Sequence, residues 1–153
     1  MSKETWLKEY YPVPAGSQEA TGTPATAVKH SIRKWRGLRP AALQYHKVKV
    51  VARFGATAGL YGLRAVTSRA FPFLMVDSST CALYSFYHQR DCSCCPLYAV
   101  RGCSCVSDNK AEPAPYIQFI RNNDPEPMIH WLEAALEFVE SGSKARGPAR
   151  HRA

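Results

Sequence analysis

The residues best suited to chemistry are six cysteines, Cys81, Cys92, Cys94, Cys95, Cys103 and Cys105, all confined to residues 81–105 of a 153-residue chain. Zinc takes four such sulfurs in a tetrahedron, each at about 2.3 Å. Cys92 and Cys95 form a C-x2-C pair, a spacing that lets two thiolates grip one ion from a tight turn before Pro96 redirects the chain. The second pair must come from Cys81 and from Cys103 or Cys105. The favoured set is Cys81, Cys92, Cys95 and Cys105, with Cys94 turned away because neighbours in an extended knuckle alternate sides. Tyr84 stands where a doubled C-x2-C would place its second cysteine, and His88 is an alternative nitrogen ligand. With this many thiols available, a closed structural Zn2+ site is expected rather than a catalytic one. Structural disulfides, thiols buried as small apolar groups and an iron–sulfur cluster are the competing fates.

Catalytic patterns do not accompany the cysteines. The chain has no H-x-E or H-E-x-x-H to make a zinc enzyme, and no P-loop, G-x-G-x-x-G or G-x-S-x-G. A non-enzymatic role is the expectation. Cys94 is a weaker candidate for a redox thiol beside other thiolates.

The second chemical feature is charge. The net charge is +8, and it is unevenly placed. Residues 24–53 hold Lys29, Arg33, Lys34, Arg36, Arg39, Lys47, Lys49 and Arg53 with no acid, whereas the flanking stretches nearly balance. That asymmetry points to an anionic partner, or to a solvated basic face. Lys29, Arg33, Lys34, Arg36 and Arg39 are the candidate nucleic-acid contacts, with Trp35 or Tyr45 as stacking surfaces and His30 and His46 flanking them. Trp35 is better read as core, since it completes an apolar stripe with Val28 and Ile32.

These groups need elements to hold them. Residues 3–10 suit a short helix ending at Tyr11-Pro12, and 12–23 read as an irregular connector. Thr23 as cap and Pro24 at the first position start a helix at 24 that Gly37 ends as a left-handed cap. Pro40 opens a second short helix through about Tyr45. Residues 47–54 alternate like a strand with one wet face, 55–62 read as a turn-rich link, and 71–76 read as a buried strand. Residues 77–109 support no long element. Asp124 and Pro125 start a final helix with Met128, Ile129, Leu132, Leu136 and Val139 on one face, which Gly142 closes. The expected fold is therefore α+β: two main helices at 24–37 and 125–141, a small antiparallel sheet and a zinc-stapled loop region. The expected organisation is a helix and connector over 1–23, a zinc-binding globule over 24–142 and a disordered basic tail over 143–153.

No run approaches the ~20 apolar residues that span a bilayer. The polar amino terminus lacks the apolar stretch of a secretory signal, so a reducing cytoplasm is the expected compartment.

Three stretches together resemble small uncharacterised proteins of tailed bacteriophages and prophages. They are His30 to Pro40, Ser79 to Leu83 with Cys92 to Leu97, and Asp124 to Ile129. In that family the first knuckle is usually C-A-L-C, and the likeness implies Cys81, Cys92, Cys95 and Cys105 as ligands; Tyr84 departs from the pattern. It implies no activity, only a bacterial cytoplasm during infection. The leading expectation is a zinc-binding accessory protein that contacts nucleic acid through residues 24–53. The rival is a protein-interaction module that binds a host protein and uses zinc only as a brace.

Overall fold

Helix starts in this chain are set by short polar caps and by proline. The computed structural model describes residues 2–53, 60–61, 73–76, 81–87, 94–105 and 112–146. Helix α1 (Lys3–Tyr10) begins at Ser2, whose hydroxyl accepts the Thr5 N–H while Thr5 Oγ1 accepts the Ser2 N–H. This reciprocal box satisfies N–H groups that a helix start otherwise leaves unpaired. Ser17 starts the single turn α2 (Gln18–Thr21), its hydroxyl accepting the Ala20 N–H, inside the stretch expected to be irregular. The expected Thr23 cap and Pro24 start α3 (Pro24–Arg36). Proline also opens α4 (Pro40–His46), α6 (Pro96–Arg101) and α7 (Pro115–Asn122). Helix α5 (Ala82–Tyr87) follows Cys81, and α8 (Glu126–Arg146) follows Asp124, whose carboxylate accepts the Glu126 N–H at 3.1 Å.

The expected α+β class with an antiparallel sheet does not hold. The fold is predominantly helical. Strand β1 (Lys49–Arg53) is central to a small mixed sheet with β2 (Leu60–Tyr61) and β3 (Phe73–Val76). Its longer pairing, Lys49 to Ala52 against Phe73 to Val76, is parallel; only Ala52–Tyr61 and Arg53–Leu60 pair antiparallel. The reading erred because α5, α6 and α7 were not recognised. The first two lie in the Cys- and Ser-rich stretch. The third carries Tyr116, Phe119 and Ile120 at helical spacing after Pro115, a signal that was legible.

Two helix ends also differ from expectation. Gly37 has φ −73°, an ordinary right-handed value, so it is not a left-handed cap. Gly142 does not close α8, which runs on to Arg146 through the first residues of the expected disordered tail; residues 147–153 lie outside the described residues.

The core is built on α3. Val28, Ile32 and Trp35 are buried with Met128, Ile129, Leu132 and Ala135 of α8 in one apolar cluster. Trp35 meets Phe119 and Tyr116 of α7 edge-to-face at 4.9 and 6.2 Å, a geometry that suits the ring quadrupoles. The Tyr116 hydroxyl donates to the Val76 carbonyl at 3.0 Å, which ties α7 to β3. Trp6 of α1 is buried in the same cluster and donates its indole N–H to the Gly37 carbonyl at 2.7 Å. The glycine at 37 is needed for space. A Cβ there would sit 2.4–2.7 Å from the Tyr10 Cβ and ring.

His30 shows how the core constrains a titratable group. Its Nε2–H donates to the Val13 carbonyl at 2.8 Å, and its buried Nδ1 has no partner. Burial, with smaller contributions from Lys34 and Arg33, pushes its pKa below the ordinary histidine value, although the bond to Val13 works the other way.

Two predictions follow from this packing. Gly37→Ala should lose about 1–3 kcal/mol through overpacking against Tyr10. Gly16→Ala, whose new methyl would meet only Ser85 Oγ at 4.0 Å, should stay within about 0.5 kcal/mol; denaturant unfolding compares the two. Because the unfolded chain protonates His30 more readily than the folded one, its share of stability is intact above about pH 6.5 and is lost as pH falls below it. Unfolding at pH 7.5 and 5.5 should therefore show a smaller acid-induced loss in His30→Gln than in the wild type.

Candidate functional site

The basic segment finds its counter-charges within its own chain. Glu126, Glu133 and Glu140 recur every seven residues, two turns apart, and so lie along one face of α8. Lys29 Nζ meets Glu140 Oε2 at 3.6 Å and Arg36 Nη2 meets Glu133 Oε2 at 2.9 Å. Arg39 grips Glu126 with two bonds, Nε at 2.7 Å and Nη2 at 3.1 Å, and these hold its guanidinium pKa above the ordinary value. The partners ascend along one segment as they descend along α8, so α3 and α8 run antiparallel. The remaining two of the five candidate bases are also engaged. Arg33 donates to the backbone carbonyls of Glu9 and Lys8. Lys34 is only 2% exposed, with Nζ 5.6 Å from the Trp35 ring centre.

Three of those five bases, Lys29, Arg33 and Arg36, line a single cleft of about 440 Å³ with Glu9, Tyr10, Ile32 and Leu136. Helix α1 supplies Glu9 and Tyr10, α3 supplies Ile32 and the bases, and α8 supplies Leu136. The Tyr10 hydroxyl is pushed up by burial and by the Glu9 carboxylate beside it, so it stays neutral in the cleft. The walls carry both signs of charge above an apolar floor. Lys34 and Arg39 lie outside this lining, and Trp35 is 3% exposed in the core, where no base can stack on it. Tyr45 is 60% exposed, with its ring edge-on to His46.

The described cysteines lie before α5, before α6 and in the segment that follows α6. Cys81 precedes α5 and its sulfur accepts the Tyr84 N–H at 3.4 Å. Cys95 caps α6. Cys105 accepts the Tyr116 N–H through its carbonyl at 3.1 Å, which brings the end of the cysteine stretch against α7. Cys81, Cys95 and Cys105 are partly buried against the core, Cys103 is partly buried, and Cys94 is exposed. Among the described residues no three His, Cys, Asp or Glu side chains form a group fit for a metal ion. Of the expected ligands, Cys92 and its alternative His88 lie outside the described residues.

Sequence reasoning missed Arg101, at the end of α6. It is 6% exposed, and its guanidinium carbon lies 5.8 Å from the Trp131 ring centre. One nitrogen donates to the Ser104 carbonyl, whereas Nε and Nη2 are buried without a partner. The missed acids of α8 had a visible signal in their seven-residue repeat; Arg101 had none.

A buried, half-satisfied charge contributes little and costs desolvation. Arg101→Met is expected to unfold within about 1 kcal/mol of the wild type or to be more stable. A loss beyond about 3 kcal/mol in denaturant unfolding would show that the guanidinium has a carboxylate partner. Among the described residues no helix is long and apolar enough to cross a membrane. No protein-family model, curated protein or solved structure matches this chain.

Proposed function

We propose that this chain is a non-enzymatic protein-interaction module whose α1/α3/α8 cleft receives an acidic amphipathic segment of a partner protein. The carrying observation is the cleft lining: Lys29, Arg33 and Arg36 stand over an apolar floor of Ile32 and Leu136. An apolar side chain on the floor gains burial, and flanking carboxylates exchange for Glu133 and Glu140 on Arg36 and Lys29. Those internal pairs are half exposed and contribute roughly 0–1 kcal/mol each, so they yield readily to a partner. In keeping with the likeness to phage proteins, the module is proposed to act in the cytoplasm of an infected bacterium on a host protein.

Nucleic-acid contact is a second reading, favoured by the convergence of three of the five candidate bases on one cleft. Against it stands the apolar floor of Ile32 and Leu136, on which a phosphate chain has no apolar group to bury. The test is direct. The full chain is screened against displayed acidic amphipathic peptides, and selected peptides and a short single-stranded DNA are then compared by fluorescence anisotropy across a salt series. Peptide binding that weakens about tenfold in both Arg33→Ala and Leu136→Glu is the expected result. DNA binding that falls steeply with salt, without peptide selection, would favour the second reading.

We further propose that residues 81–105 take up one structural zinc ion. The cysteine density supports this, as does the Tyr84 N–H directed at the Cys81 sulfur, as in a metal-binding knuckle turn. Cobalt added at one equivalent is expected to give a thiolate-to-metal charge-transfer band that zinc displaces; no band with all thiols titratable in the native state removes the proposal.

A further inference from the structure

We infer that Arg101 forms a buried oxyanion site, which holds two oxygens of a small carboxylate or phosphate side-on between the end of α6 and Trp131 of α8. Arg101 is 6% exposed, so its charge is largely taken out of water. A guanidinium keeps that charge in any protein surroundings. The Trp131 ring centre lies 5.8 Å from the guanidinium carbon, and Nη1 donates to the Ser104 carbonyl. Neither contact supplies a negative charge. Nε and Nη2 are buried and have no partner in the fold. Glu112 touches the same indole, but its Oε1 accepts the Trp131 N–H and it bonds neither of these two nitrogens. Arg101, Ser104 and Trp131 lie outside the lining of the cleft, so this site is independent of the interaction reading above.

Geometry selects the occupant. In a planar guanidinium the Nε–H and one Nη2–H run parallel along one edge, and that edge matches two oxygens of a single carboxylate or phosphate. The chain shows the match elsewhere: Arg39 uses Nε and Nη2 to hold both oxygens of Glu126, at 2.7 and 3.1 Å. At Arg101 both nitrogens of the same edge are covered, and the chain itself provides no oxygens for them. Water would satisfy the hydrogens but leave the charge uncompensated, and a buried charge without a counter-charge is costly. A small oxyanion supplies the acceptors and the charge together. Because the edge is covered, the anion is enclosed as the chain folds, which restricts it to a small species.

Thermal unfolding of the full chain in sodium formate and in sodium phosphate, each compared with sodium chloride at equal ionic strength, tests the site. An anion held only by the folded chain stabilises it by mass action. The wild type is expected to gain about 2–4 °C over chloride in at least one of the two salts, formate reporting a carboxylate source and phosphate a phosphoryl source. Arg101→Met should lose that gain. Arg101→Lys should lose it too, because lysine keeps the charge without the paired donors. Arg121→Ala, which removes an exposed base of α7, should retain it. Nitrogen NMR of the wild type gives a reading that needs no variant to fold: the assigned Arg101 Nε–H should shift and exchange more slowly in the stabilising salt. Equal stability in all three salts, a gain that either Arg101 variant retains, or an Arg101 Nε–H that does not respond overturns the inference.

Discussion

Everything else in the molecule is arranged around the seam between α3 and α8. Val28, Ile32 and Trp35 face Met128, Ile129, Leu132 and Ala135 within one buried cluster. Burying a side chain of this kind contributes about 1.5–3 kcal/mol, so the seam outweighs any surface interaction described here. Three ion pairs run beside it, between Lys29 and Glu140, Arg36 and Glu133, and Arg39 and Glu126. They are half exposed and add little energy, but they suit only one alignment of the two helices. Hydrophobic burial drives the contact, and charge selects its register.

That division of labour changes the meaning of the positive segment. In the linear chain, residues 24–53 carry eight bases and no acid. In the fold, acids of α8 lie against three of them, Lys29, Arg36 and Arg39, and Lys34 is buried outright. The positive field is offset at those three positions. Beside them lies a mixed-charge cleft with an apolar floor. Its α1 wall is placed by a separate set of contacts: Trp6 on the Gly37 carbonyl, Tyr10 packed over a residue without a side chain, and His46 on Glu9 and Thr5.

The described parts of the cysteine stretch rest on the same two helices. Helices α5 and α6 pack on α3 and α8, respectively, so Cys81 and Cys95 are positioned at the starts of helices that the core already holds. The order of residues 82–87 and 96–101 thus has a source besides metal.

Local chemistry made much of the chain legible beforehand. Thr23 with Pro24, Asp124 before α8, and the 3.6-residue stripes of both long helices depend only on neighbours in sequence, and the elements formed accordingly. Capping and periodicity are properties of one turn, so one turn's sequence suffices. The fold class was not legible, because six-residue helices such as α5 and α6 are too short to show a period and are held by packing. The role of Gly37 was hidden for a related reason: the glycine serves the ring of Tyr10, a residue 27 positions away whose approach only the folded chain defines. Most consequential is the pairing of the bases with α8. The sequence determined how many charges there are and which helix face each occupies, but their neutralisation depends on distance in space, and only tertiary structure brought residues a hundred positions apart to within 4 Å.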